Sequence, residues 1–152
     1  MKLGSVFSDN MVLQADHNIK VWGTANRSET IRVEFNGKTA ATRAGLDGKW
    51  EVELPGLVYG GPYKLNVYGE DTLTLKNIMV GEVWLCAGQS NMRMTVRGVL
   101  NAKEEIANAR HRNIRFLTLP LSGSTEPQES FDAVWELCSP STVANYSASG
   151  LQ

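Results

Sequence analysis

Along the first half of the chain, apolar and polar residues alternate with a period of two. Ile31, Val33 and Phe35 share one face of Thr30–Phe35 while Arg32 and Glu34 share the other, and Trp50, Val52 and Leu54 repeat the pattern in Lys49–Leu54. One buried face and one wet face is the mark of an antiparallel sheet. Shorter runs of the same kind recur at residues 11–14, 19–22, 63–68 and 72–75, spaced as in a sandwich. The punctuation agrees. Asn36-Gly37 between two runs predicts a two-residue hairpin, because both central positions of that turn want φ > 0. Asp47-Gly48 predicts the closing turn of the next hairpin, and Gly60-Gly61-Pro62 and Gly69-Glu70-Asp71 predict later turns. No helical period competes here. The expectation over residues 1–78 is a β-sandwich, Ig-like or jelly-roll-like, of seven or eight short strands.

Near residue 78 the pattern changes. Residues 79–87 form a nearly continuous apolar run, which predicts a strand buried on both faces of a parallel sheet. Val99, Ala102, Ile106 and Ala109 then fall at helical spacing, with Lys103, Glu104, Glu105 and Arg110 opposite. Residues 114–119 predict a second strand, ended by Pro120. Strand, helix and strand make one βαβ unit with a right-handed crossover. Residues 121–132 are polar and turn-rich and predict a loop, residues 134–138 a short strand, and Ser139-Pro140 the start of a helix. The predicted fold class is therefore β + α/β: the sandwich over 1–78, then over 79–152 the opening βαβ part of an α/β domain.

Composition changes this picture little. The 152 residues are 42% hydrophobic and 20% charged, with a net charge of −1. Residues 1–78 carry nine basic and nine acidic side chains and residues 79–152 six and seven, so neither half has the basic excess that phosphate neutralisation requires. Nucleic acid is excluded as a partner on that ground. No apolar run approaches the ~20 residues of a membrane span, and residues 1–5 lack the apolar core of a signal peptide. Cys86 and Cys138 each end an apolar run and read as buried free thiols, with a single bridge as the alternative.

The candidate chemistry sits at Gly88-Gln89-Ser90-Asn91-Met92. A serine presented after a strand can act as a nucleophile once a base takes its proton and donors receive the oxyanion. Ser90 is the candidate nucleophile, its N–H the first oxyanion donor, and Gly88, Gln89 and Asn91 the support of the loop. Met92 stands where the α/β-hydrolase elbow Gly-x-Ser-x-Gly has glycine, so this is a different arrangement. A serine capping a strand-to-helix turn is the alternative. Trp84 reads either as interdomain packing or as pocket lining. Arg93 and Arg97 read either as carboxylate binders or as a solvated helix face. Trp22 and Trp50 read as sandwich core, with sugar stacking as the alternative. Glu82, inside an apolar run, needs a partner.

The stretch Gly81-Glu82-Val83-Trp84-Leu85-Cys86-Ala87-Gly88-Gln89-Ser90-Asn91-Met92 resembles the nucleophile block of the sialate O-acetylesterase family, a branch of the SGNH (GDSL-like) hydrolases. Collinear matches run through Phe7-Ser8-Asp9-Asn10-Met11-Val12-Leu13-Gln14, Val21-Trp22-Gly23, Asp47-Gly48-Lys49-Trp50, Gly60-Gly61-Pro62-Tyr63 and Cys138-Ser139-Pro140 with residues 142–148. The resemblance implies a flavodoxin-like hydrolase domain after the sandwich. It also implies removal of O-acetyl groups from sialic acid or a related sugar, with Ser90 as nucleophile and neither metal nor cofactor. A secreted or periplasmic setting is implied in the same way. Three departures stand out: the family has glutamate where this chain has Arg93, it continues differently after Ser147-Ala148, and its later Asp-x-x-His block has no counterpart here. Only His17 and His111 are present, one in a polar turn and one after the predicted helix. The expectation is an incomplete amino-terminal portion, inactive alone. Its base would come from the remaining part of the hydrolase domain, as a separate chain or through a swapped homo-oligomer. The competing reading is a carbohydrate-binding or interaction module with a vestigial hydrolase segment.

Overall fold

A computed structural model describes residues 1–120, 123–126, 128 and 130–151. These fall into two compact units, Met1–Val83 with Leu119–Val134, and Trp84–Thr118 with Trp135–Gln152. None of the described helices is long and apolar enough to cross a membrane.

The first unit is β-rich. Its strands are β1 (Lys2–Leu3), β2 (Val12–Gln14), β3 (Ile19–Thr24), β4 (Thr30–Phe35), β5 (Lys38–Arg43), β6 (Lys49–Leu54), β7 (Gly60–Tyr68) and β8 (Thr72–Gly81). They form a three-stranded sheet in the order β1-β3-β6 and a five-stranded sheet in the order β2-β8-β7-β4-β5. Inward positions are those the alternation requires: Val21 on β3, Ile31, Val33 and Phe35 on β4, Trp50, Val52 and Leu54 on β6, and Leu65 and Val67 on β7 are all buried. Each large aliphatic side chain removed from water this way contributes roughly 1.5–3 kcal/mol. The hairpin at Asn36-Gly37 is present, with φ of 45° and 75°.

Several expectations differ from the structure. Asp47-Gly48 closes no hairpin, because β5 and β6 lie in different sheets. Its turn instead hands the chain from one sheet to the other, with Lys49 N–H on Asp47 Oδ1 at 3.1 Å and Ala25 N–H on Gly48 O at 2.9 Å. Gly60-Gly61-Pro62 lies within β7, as a register irregularity against β8. β2 pairs with β8 in parallel, an exception to the antiparallel pattern. Trp50 is buried, but Trp22 is 42% exposed and meets Phe7 edge-on with ring centroids 4.6 Å apart.

The strand expected over residues 79–87 ends at Gly81. Its partner β2 stops at Gln14, after which the Ala15 N–H turns in to Gly81 O at 2.9 Å. Among the described residues no further strand continues the ladder.

The second unit contains α1 (Ala102–Asn108), β9 (Arg115–Phe116), β10 (Glu136–Leu137), α2 (Ala148–Leu151) and 3₁₀ turns at Ser90–Arg93, Val96–Gly98 and Val143–Asn145. α1 lies where the helical spacing put it, with Ile106 against a small core of Val96, Ala109, Cys138 and Val143. The βαβ unit is not seen among the described residues, since β9 pairs antiparallel with β10 and no parallel pair occurs in this unit. The helix expected from Ser139 is broken into a 3₁₀ turn and α2. The break falls at Tyr146, whose backbone is extended with φ −86° and ψ 159°, while the Thr142 hydroxyl donates to Leu137 O at 2.5 Å and accepts the Ser139 N–H at 3.1 Å, which ties the start into a tight turn. Residues 123–126, 128 and 130–132 of the expected loop hold no regular element, and Leu121, Ser122, Pro127 and Glu129 lie outside the described residues. Cys138 is buried and free as expected, whereas Cys86 is free but exposed.

Candidate active site

In the first unit, the block at residues 7–14 grips β8. Asp9 Oδ1 accepts the Lys76 N–H at 2.7 Å and Asn10 Oδ1 accepts from Asn77 Nδ2 at 2.7 Å. Gln14 holds the end of the strand twice over: its Nε2 donates to Glu82 Oε2 at 3.1 Å, and its Oε1 accepts the Val83 N–H at 2.9 Å. Glu82 also accepts the Tyr59 hydroxyl proton. That bond, with the Gln14 bond second, keeps the Glu82 carboxyl below the usual carboxylate range, and it raises Tyr59 above the usual phenol. The partner that the sequence required for Glu82 is thus supplied, although Glu82 is exposed rather than buried. The bond from Asp9 to a strand 67 residues away has no local signal in the sequence.

In the second unit, Trp84 and Leu85 are 82% and 89% exposed and belong to no regular element. The chain then tightens into the 3₁₀ turn Ser90–Arg93. Gln89, not Ser90, takes the cap position, with φ of −100°, and no side chain caps the turn, so the capping role considered for Ser90 is not realised. The first bond of the turn runs from Met92 N–H to Gln89 O at 3.0 Å, which leaves the Ser90 and Asn91 N–H groups ahead of the turn's own ladder. Gly88 is needed for close approach, since a Cβ there would stand 2.9 Å from Met92 Cγ.

The turn is buttressed by the block around residue 147. Ala148 N–H donates to Met94 O at 2.8 Å, Val96 N–H to Tyr146 O at 3.0 Å, and Ser149 Oγ to Asn91 O at 3.2 Å. Ser147 Oγ reaches Met92 Sδ at 3.6 Å, and Thr95 and Ser147 form an isolated antiparallel bridge. Tyr146 is itself fixed by stacking on Phe116, ring centroids 4.1 Å apart, and by donating to Glu136; burial first, then that carboxylate, push its hydroxyl well above the usual phenol value. Ser147 and Ser149 are therefore parts of the site that the sequence reading did not single out. Their role arises from a contact across more than fifty residues, which no local pattern carries.

Gln89, Ser90, Asn91 and Arg93 are all exposed, and among the described residues the Ser90 hydroxyl has no hydrogen-bond partner. Arg97 is occupied, donating to Asn145 Oδ1. Within the second unit and among the described residues, His111 makes no bond to Ser90, its backbone O accepting the Ile114 N–H at 2.9 Å. In the first unit His17 Nδ1 meets Ala15 O at 2.9 Å. Among the described residues the arrangement thus presents a free hydroxyl, unused backbone donors beside it and a cation on a buttressed turn.

No family model matches the chain. The fold superimposes on the crystal structure of a carbohydrate acetylesterase from Xanthomonas citri with a TM-score of 0.96 and 33% identity, over 99% of this chain and 35% of that one. The fold thus places the chain among relatives of the carbohydrate esterases. Rattus norvegicus sialate O-acetylesterase is 30% identical over 159 aligned residues, covering 95% of this chain and 29% of the rat protein, and the Homo sapiens protein of the same name is 29% identical over 151. The chain belongs to the sialate O-acetylesterase family, and it spans about 29% of the length of the curated relatives it matches.

Proposed function

We propose that the chain is part of a serine esterase that removes O-acetyl groups from sialic acid or a related acetylated sugar. The observation that carries this reading is an exposed Ser90 hydroxyl, unpartnered among the described residues, on a buttressed turn in a chain 33% identical to a carbohydrate acetylesterase. Ser90 Oγ attacks the acetyl carbonyl carbon while a base takes its proton. The tetrahedral oxyanion is received by the Ser90 N–H, with Gly88, Gln89 and Asn91 shaping the loop. Collapse expels the sugar hydroxyl and leaves an acetyl-serine, which water then hydrolyses. No metal enters these steps.

The Asp-x-x-His block of the family has no counterpart in this sequence, so this reading assigns the base to residues beyond these 152, in the same polypeptide, a separate chain or a second copy. On the same reading, residues 1–78 form a supporting β domain, and 79–152 open an SGNH hydrolase domain whose parallel sheet is completed elsewhere.

Ser90→Ala in the full-length protein is expected to lower kcat for p-nitrophenyl acetate by about a thousandfold or more. Parent-rate hydrolysis by that variant would refute the role of Ser90. The 152-residue chain assayed alone should release no burst of p-nitrophenol; a stoichiometric burst would show that the base lies within it.

A further inference from the structure

Arg93 closes the 3₁₀ turn that Ser90 opens. Side chains three apart in a 3₁₀ turn eclipse one another, so Ser90 and Arg93 stand on one face of it. Arg93 is exposed, and among the described residues its guanidinium has neither an ion pair nor a hydrogen bond. Its neighbour Arg97, by contrast, is held by Asn145. From Trp84 to Asn101 the chain carries these two arginines and no aspartate or glutamate. The strap that presents Ser90 is therefore locally cationic, and the free charge is the one beside the hydroxyl. A guanidinium offers its donors as a rigid planar fork, which fits the two oxygens of a carboxylate.

We propose that Arg93 is a specificity-determining residue, which pairs with a carboxylate on the sugar and so directs the esterase toward acetylated sugar acids over neutral acetylated sugars. This rests on Ser90 being the nucleophile. An ester delivered to Ser90 brings its sugar across the same face of the turn, where a carboxylate gains a charge-assisted pair and a neutral hydroxymethyl group gains none. Arg93 takes no part in bond making or breaking; it acts on which ester arrives.

The test compares the full-length protein with its Arg93→Gln, Arg93→Glu and Arg93→Lys forms on O-acetylated glucuronate and O-acetylated glucose, which differ in one group. The readout is the ratio of kcat/KM for the two esters. The parent ratio is expected to favour glucuronate, and to fall about tenfold in Arg93→Gln, the equivalent of one lost charge-assisted contact. It should fall further in Arg93→Glu and be partly retained in Arg93→Lys. Raising salt from about 0.05 to 0.5 M should erode the preference of the parent by screening, and leave Arg93→Gln unchanged in ratio. A parent ratio near one, a ratio that Arg93→Gln leaves in place, or turnover of neither ester overturns the assignment. Ser90→Ala run in parallel separates the two levels. If it still cleaves both esters at the parent rate, the reading of the site falls and this inference with it. If it cleaves neither and Arg93→Gln leaves the ratio unmoved, only the role of Arg93 falls.

Discussion

Glu29 is the one charged side chain buried among the described residues. Its Oε2 accepts the Asn26 N–H at 2.9 Å and its Oε1 the Glu70 N–H at 2.7 Å, which ties the turn before β4 to the turn after β7. These two bonds, the one from Glu70 foremost, hold the carboxyl below its ordinary value. The folded state thus binds this proton less readily than the unfolded chain does. Its stabilisation is present above the ordinary glutamate value of about 4.3 and is lost as pH falls through the lower folded value. Glu29→Gln is expected to lower Tm at pH 7 and to shrink the fall of Tm between pH 5 and pH 3, followed by circular dichroism. An acid limb as steep as the parent's would remove Glu29 from the account. At this scale the sequence is least informative, because a glutamate in a polar turn looks the same whether it is solvated or stitched to another turn 41 residues away.

Elements were legible where one period governed a whole segment. β4 and β6 start and end where the alternation starts and ends, and α1 lies within the run of helical spacing. β5 was not marked, because Lys38–Arg43 is an edge strand with no apolar stripe, held by its hairpin to β4. That hairpin supplies an element-scale prediction. Gly37 has φ of 75°, and an added Cβ would meet nothing within 4 Å, so backbone conformation alone sets the cost of a side chain there. Gly37→Ala is expected to lose about 1–2 kcal/mol of stability in urea unfolding, and Gly37→Asn clearly less, since asparagine tolerates this region. Equal stability of the alanine form and the parent would mean that the turn is not held in this conformation. The end of β8 is the opposite case. An apolar run through residue 87 predicts a strand, but strand formation needs a partner, and β2 gives out at Gln14.

At the scale of the whole molecule, the two units differ in what holds them. In the first unit, long strand pairings and alternating inward residues on β3, β4, β6, β7 and β8 surround one apolar interior. The second rests, among the described residues, on a small cluster of Val96, Ala109, Cys138 and Val143 with Ile106, Phe116, Ala148 and Leu151 against it, and carries the Ser90 turn on a few long-range bonds. Amide hydrogen exchange is expected to follow this difference, with the slowest amides in β4 and β7 and exchange at residues 84–95 faster by several orders of magnitude. Protection of the Ser90 turn equal to that of β4 would contradict it. Active-site straps are drawn from the weakly held end of a fold, so low protection here accords with the proposed role.

The sequence by itself determined the β-rich first half, the Asn36-Gly37 hairpin and the face that α1 turns inward, and it nominated the stretch around Ser90 as the place to seek the chemistry. Each of these depends on residues near one another in the chain, through side-chain period, turn geometry or a collinear motif. Tertiary structure decided the rest: which sheet receives each strand, where β8 stops, that Gln14, Tyr59 and Glu82 meet, and that residues 146–149 hold the turn carrying Ser90 and Arg93. Those outcomes depend on hydrogen-bond partners and packing neighbours brought together across tens of residues. A backbone donor or a carboxylate takes whichever partner the fold delivers, and nothing in its own neighbourhood records the choice.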